Sequence, residues 1–208
     1  MRPWILVLPA CLALASCSGM DAAECRTADW RAIGFEDGVQ GRSPAHFGTR
    51  RKQCAGHGIA ADFDAYTVGR AEGLAQFCRP LNAYHLGTQG YQYAGICPPE
   101  QESAFIAAHA DGFGLYQRHA TLRAIRHRLE HSKRREQTVE RLLTDKTMRV
   151  VGPGLAADER ASLAVDLKQL AEERAELRQS IAQLEREEIA AARDYEAYRI
   201  HLDTAGLR

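Results

Sequence analysis

Six cysteines, one His-x-x-Glu-His string and four acids beside glycines are the residues of this 208-residue chain whose types and spacing could do chemistry. Cys11 falls in an amino-terminal leader and Cys17 just after it, whereas Cys25, Cys54, Cys78 and Cys97 form an even set before residue 98. In an exported chain such a set reads as two disulfides. Three pairings are possible, and the sequential one, Cys25 with Cys54 and Cys78 with Cys97, is favoured. A metal site around Cys54-Ala55-Gly56-His57 is the competing reading, but no CxxC pair anchors a zinc ribbon, so no metal and no cofactor is expected. His127, Glu130 and His131 fit H-x-x-E-H, in which two imidazoles one helical turn apart hold zinc and a carboxylate activates water. Their surroundings oppose it: Leu129 belongs to a hydrophobic seam, and Arg126, Arg128, Lys133, Arg134 and Arg135 repel a dication. The string reads as a solvated basic face. Glu36, Asp37, Glu72 and Asp111 precede glycines and could be paired acids, but capping and solvation are the commoner uses of such residues. No catalytic residue is assigned. No nucleophile elbow, phosphate loop or dinucleotide fingerprint occurs, and the lone Asn82 makes no glycosylation site.

The amino terminus carries an address. Arg2 is followed by an apolar run from Trp4 to Ala15, which is too short to span a bilayer as a permanent helix and has the form of a secretory signal. Leu14-Ala15-Ser16-Cys17 resembles the bacterial lipobox, in which the cysteine thiol receives diacylglycerol and becomes the new amino terminus. The alternative is ordinary cleavage after Ala15 with Cys17 left as a thiol. Residues 1–16 are therefore expected to be the signal peptide, Cys17 the lipidation site and residues 17–24 a tether. Ser18, where Asp would mark retention, resembles the outer-membrane sorting rule.

Between Cys25 and Tyr116 four segments place an aromatic or histidine ring three or four residues before a glycine: Trp30 to Gly38, Tyr66 to Gly73, Tyr84 to Gly90 and His109 to Phe113. At helical periodicity rings and bare backbone then share one stripe, along which a second backbone can pack very close. Glycine in a helix interior costs about 1 kcal/mol against alanine, so this many need such a reason. Asp62 has the position of a cap for a helix over 63–78, and Pro98-Pro99 that of a helix start near Glu100. Turns between short strands around Tyr91 and Tyr93 are the alternative for the 87–95 stretch.

The order Cys25, Trp30-x-x-Ile33-Gly34-x-x-Asp37-Gly38-x-x-Gly41, Cys54, Tyr66-x-x-Gly69-Arg70-x-Glu72-Gly73-Leu74-x-x-Phe77-Cys78, Gly87-x-x-Gly90-Tyr91-x-Tyr93-x-Gly95-x-Cys97-Pro98 and Phe105 to Gly112 resembles a family of small bacterial lipoproteins, the domain-of-unknown-function family numbered 2799. The resemblance covers residues 25–116. It implies an exported, lipid-anchored protein, and no activity or catalytic residue comes with it.

The remainder reads as a helical hairpin. Apolar residues recur at Leu122, Ile125, Leu129, Val139 and Leu143, then Gly152-Pro153-Gly154 ends the helix. From Leu163 to Leu202 a seam alternates four and three residues, the spacing of a coiled coil. Arg118 to Arg149 holds ten Lys/Arg against four Asp/Glu, and Asp158 to Asp203 seven against twelve. Folding back would set a basic helix against an acidic one. The rival is a homodimer through the Leu163 to Leu202 helix.

The expected fold class is thus mainly α: a small disulfide-braced, glycine-patterned helical domain over 25–114, then an antiparallel coiled-coil hairpin over 115–204 with its turn at 152–154. With 27 Lys/Arg against 27 Asp/Glu the chain is neutral, which counts against a generally basic nucleic-acid binder. The expected function is a structural or interaction role at the outer membrane, facing the periplasm, with a protein or cell-wall partner. The alternative is a cell-wall-directed hydrolase, or its activator, with an acidic site in the glycine-rich domain.

Overall fold

The computed structural model describes residues 19–206; the expected signal peptide with Cys11, the expected acyl site Cys17 and Ser18 lie outside the described residues. Its elements are α1 (Ala22–Thr27), α2 (Trp30–Val39), α3 (Ala45–Gly56), α4 (Phe63–Phe77), α5 (Pro80–Thr88), α6 (Pro99–Val151) and α7 (Ala157–Thr204), with no strand among the described residues. None of these helices is long and apolar enough to cross a membrane. The chain divides into two compact units, one ending at Phe77 and one beginning at Cys78.

In the first unit, short side chains supply the helix starts. Asp21 accepts from the backbone N–H of Ala23 and Glu24 while Glu24 accepts from Asp21 N–H, a reciprocal cap for α1. Asp29 caps α2 through Ala32 N–H and Asp62 caps α4 through Ala65 N–H. The Cys25–Cys54 disulfide ties α1 to α3 and is buried with Trp30, Phe47 and Tyr66. Phe47 meets Trp30 edge-on at 5.7 Å and Tyr66 at 4.6 Å between ring centroids. Beside this core α2 and α4 cross with their backbones in contact. A Cβ on Gly34 would lie 2.1 Å from the Tyr66 carbonyl oxygen, and one on Gly69 would lie 1.9 Å from that of Arg31. Gly38 and Gly73 meet the carbonyls of Arg70 and Phe35 in the same reciprocal way, at 2.4 and 2.2 Å. No side chain fits at these four positions.

The second unit builds the same crossing from α5 and the start of α6. A Cβ on Gly87 would lie 2.3 Å from the His109 carbonyl oxygen, and one on Gly112 would lie 2.1 Å from that of Tyr84. The Cys78–Cys97 disulfide joins the residues just before these two helices. Each first helix ends on a left-handed glycine that lies against a ring four residues beyond the last crossing glycine: Gly41 (φ 65°) against Phe77, and Gly90 (φ 77°) against Tyr116. A side chain at either glycine would be strained and would also meet the ring. The loop after α5 is pinned by Tyr93, whose hydroxyl donates to Glu102 and accepts from Cys97 N–H.

From this crossing α6 runs without a break through residue 114 to Val151, and Gly152 and the left-handed Gly154 turn the chain into α7. The helix continues through Gly112 and Gly114 because neighbours occupy the space their side chains would take: α5 backbone at Gly112 and the Tyr198 ring at Gly114. The two helices form an antiparallel hairpin whose seam is Leu122, Leu129 and Val139 on α6 against Leu163, Ile181, Leu184 and Leu202 on α7. Ion pairs nest along it: Arg126 with Glu188, Lys133 with Glu185, Arg135 with Glu173 and Lys146 with Asp166. Arg178 reverses the polarity by reaching Glu136 and Glu140. These pairs are exposed, so each is worth about 0.2–1 kcal/mol and the apolar seam carries the stability. The end of α7 returns to the α5–α6 crossing, where Leu202 is buried with Tyr84 and Leu115 and Tyr198 takes Arg118 on its ring at 3.9 Å.

Candidate functional site

The α2–α4 crossing faces Asp37 into the first unit, where it is 0% exposed and the one fully buried charged residue among those described. Burying a carboxylate is costly unless it is paired and hydrogen-bonded, and Asp37 is both. Oδ1 accepts from Arg42 Nη1 at 3.2 Å, and Oδ2 accepts from Arg50 Nη1 at 2.8 Å and from the Tyr66 hydroxyl at 3.0 Å. The α2–α3 connection supplies Arg42, α3 supplies Arg50 and α4 supplies Tyr66. Arg70 steadies the first of these by donating from Nη2 to the Arg42 carbonyl oxygen at 3.0 Å. Burial first, then the charge of Asp37 and the hydrogen bond to it, push the Tyr66 phenol up to about 12. Tyr66 therefore remains a donor to Asp37 at neutral pH.

The two arginines are not buried with their partner. Their side chains keep 36% and 25% exposure and line a cleft of about 520 Å³ with Met20, Ser43, His46, Thr49 and Gln53. Gln53 Oε1 accepts from Met20 N–H at 3.2 Å, which places the chain's amino-terminal approach at the cleft. Each arginine uses only Nη1 on Asp37, and a guanidinium carries five N–H donors in a fixed fork. No lining residue is acidic. The donor set is chemically suited to an anion: two oriented guanidiniums, an imidazole and neutral hydroxyl and amide groups.

The other candidates are placed differently. Glu72 pairs with the exposed Arg31, Glu36 is exposed, and Asp111, in the second unit, accepts from Tyr198 through its backbone carbonyl. These acids are not gathered with Asp37 into one group, and Asp37 itself is fully engaged by its three donors. His127 and His131 are exposed on α6, Glu130 pairs with Arg134, and Leu129 is buried in the seam with Ile181 and Leu184. No group of three His, Cys, Asp or Glu able to hold a metal occurs among the described residues. Reading the sequence missed Arg42 and Arg50. The signal that points to them is the run from Gly38 to Ala61, which contains four Lys/Arg and no Asp or Glu.

The second unit provides an internal comparison. The residue before Gly38 is Asp37, whereas the residue before Gly87 is Leu86; seven residues before Gly73 stands Tyr66, whereas seven before Gly112 stands the buried Phe105. Both members of the polar pair are apolar there. The glycine crossing does not require a buried charge.

No curated protein and no solved structure matches this chain. Residues 29–114, which span both glycine crossings, match the family described as Protein of unknown function (DUF2799).

Proposed function

We propose that this is an exported lipoprotein, anchored through Cys17 in the outer membrane and facing the periplasm, that acts without catalysis by holding a protein or cell-wall partner on its helical hairpin. The observation that carries the reading is the joining of two features by one helix. α6 is continuous from the disulfide-braced crossing to the hairpin tip, so a load on the tip passes directly into the braced unit. The leader and the Leu14-Ala15-Ser16-Cys17 string support export and anchoring, and two disulfides suit an oxidising compartment.

The test is crosslinking and affinity recovery from intact envelopes, using the full chain beside a form with a shortened hairpin. Cutting after Gly114 is unsuitable because it removes Leu115 and Leu202, the residues buried with Tyr84, and so uncovers Tyr84. Replacing residues 135–179 with a short glycine-rich turn instead keeps the Leu129, Ile181 and Leu184 cluster and the Lys133–Glu185 pair. A partner recovered by the full chain and lost from the shortened one is expected. Equal recovery by both, or none by either, defeats the hairpin role.

A further inference from the structure

We propose that the Arg42–Arg50 cleft binds the phosphodiester headgroup of an anionic phospholipid in the membrane that anchors the chain, with the two guanidiniums as its cationic ligands and Asp37 as their positioning residue. This rests on the reading of Cys17 as the acyl site. Three observations carry it. The first is the buried carboxylate. A buried ion pair is weak evidence for stability, and the second unit makes the same crossing with Leu86 and Phe105 at the corresponding places. What Asp37 supplies beyond the fold is orientation: Oδ1 and Oδ2 each hold one arginine, so both forks are fixed on one cleft.

The second is charge. The Gly38 to Ala61 run holds Arg42, Arg50, Arg51 and Lys52 with no acid, and Arg51 and Lys52 are exposed. Elsewhere the chain's basic excess lies on α6, where α7 answers it with carboxylates. Asp37 is the acid paired with Arg42 and Arg50, and it neutralises one charge of two. Juxtamembrane basic clusters are drawn to anionic leaflets, and without an acidic lining residue the cleft offers nothing to a choline or ethanolamine group.

The third is reach. Met20 lines the cleft, and Cys17 precedes it by three residues. Three residues span at most about 10 Å, so an acylated Cys17 holds the cleft within headgroup distance of the bilayer.

Native mass spectrometry of the full chain, produced with its leader and extracted from membranes in mild detergent, tests the proposal. Phosphatidylglycerol, phosphatidylcholine and inorganic phosphate are titrated separately. The covalent acyl mass is read in the same spectra, so failure of the anchor and failure of the cleft are told apart. One phosphatidylglycerol per chain is expected, retained in preference to phosphatidylcholine and to inorganic phosphate. Thr49→Glu places a carboxylate in the cleft without replacing Asp37 or its partners and is expected to weaken retention about tenfold, whereas Thr67→Glu, the same charge on the exposed face of α4 outside the cleft, leaves it within about twofold. His46→Glu repeats the test if Thr49→Glu fails to fold. Asp37→Leu with Tyr66→Phe copies the second unit and frees the arginines; it is expected to keep the fold and lose retention several-fold. Equal retention of the two lipids, tighter binding of inorganic phosphate, or retention unaffected by both cleft carboxylate variants overturns the proposal.

Discussion

Replacing Gly69 by alanine sets two effects of opposite sign against each other. In a helix interior the change gains about 1 kcal/mol of intrinsic propensity. At this position, however, the new Cβ would lie 1.9 Å from the Arg31 carbonyl oxygen, with Arg31 C and Cα at 2.7 and 3.0 Å. All three are backbone atoms, so no rotamer relieves the clash. Reaching an ordinary contact of 3.4 Å requires α2 and α4 to separate by about 1.5 Å, a gap that forfeits about half or more of each pairwise dispersion contact along the crossing. The same separation draws the Tyr66 hydroxyl away from Asp37, and an under-satisfied buried acceptor costs about 1–3 kcal/mol. With overpacking at about 1–3 kcal/mol, the net expectation is a loss of about 2–4 kcal/mol in the first unit.

Gly48→Ala is the matched control. Gly48 lies within α3 of the same unit, and nothing stands within 4 Å of its missing Cβ. Propensity alone acts there, and a gain of about 0.5–1 kcal/mol is expected. Because two units need not unfold together, the readout is amide hydrogen exchange by mass spectrometry on α2 and α4 peptides, beside thermal unfolding with the disulfides intact. For a unit of this size 1 kcal/mol corresponds to about 4–8 °C. Faster exchange and a lower Tm for Gly69→Ala are expected, with the reverse for Gly48→Ala. A neutral or stabilising Gly69→Ala would refute backbone contact between α2 and α4.

Asp37→Ala frees two part-exposed guanidiniums, leaves a cavity and strands the buried Tyr66 hydroxyl, and is expected to cost about 3–5 kcal/mol; Asp37→Leu with Tyr66→Phe frees the same guanidiniums but fills the space and removes the stranded hydroxyl, and is expected to cost less, as urea titration of both would show. Tyr66 adds a pH dependence: its phenol is pushed from 10 up to about 12 in the folded chain, so the folded state prefers the protonated form. The associated stability, about 2–3 kcal/mol, is present below pH 10 and lost as pH rises towards 12, and Tyr66→Phe removes that slope from stability measured between pH 9 and 12. In the hairpin, Leu184→Ala is expected to cost about 2–5 kcal/mol and Arg126→Ala less than about 1 kcal/mol, the latter shrinking further in 1 M salt; reversed ranks would show that charge, not the seam, holds α6 to α7.

Much of the fold was legible because local chemistry and tertiary packing agree. Asp62 caps a helix wherever it precedes one, and it caps α4 here. The 4–3 alternation from Leu163 to Leu202 needs a partner of matching length, and α6 lies in the same chain with complementary charge. The rest depends on contacts between residues distant in sequence. The run of α6 through Gly112 and Gly114 follows from α5 and Tyr198 filling the space beside them, which no window around residue 113 contains. Asp37 was visible as an acid beside a glycine, but its three partners stand 5, 13 and 29 residues away. Only their convergence distinguishes a positioning carboxylate from a general acid.

The two glycine crossings also separate what the fold needs from what it carries. Gly38 with Gly73, and Gly87 with Gly112, meet partner backbone at distances that exclude a side chain, so the small residue is required in both units for the same steric reason. Asp37 and Tyr66 have no such requirement, since Leu86 and Phe105 stand at the corresponding positions. An ion pair that only stabilised the crossing would be a poor choice there, because desolvating the carboxylate offsets much of its attraction to Arg42 and Arg50. The difference between the units therefore lies in where the arginines point rather than in how firmly the helices hold. By the same comparison the neutral sum of charges conceals two arrangements: in the hairpin basic and acidic groups answer one another across a seam, whereas along α3 the basic groups line a cleft whose one buried acid sets their direction.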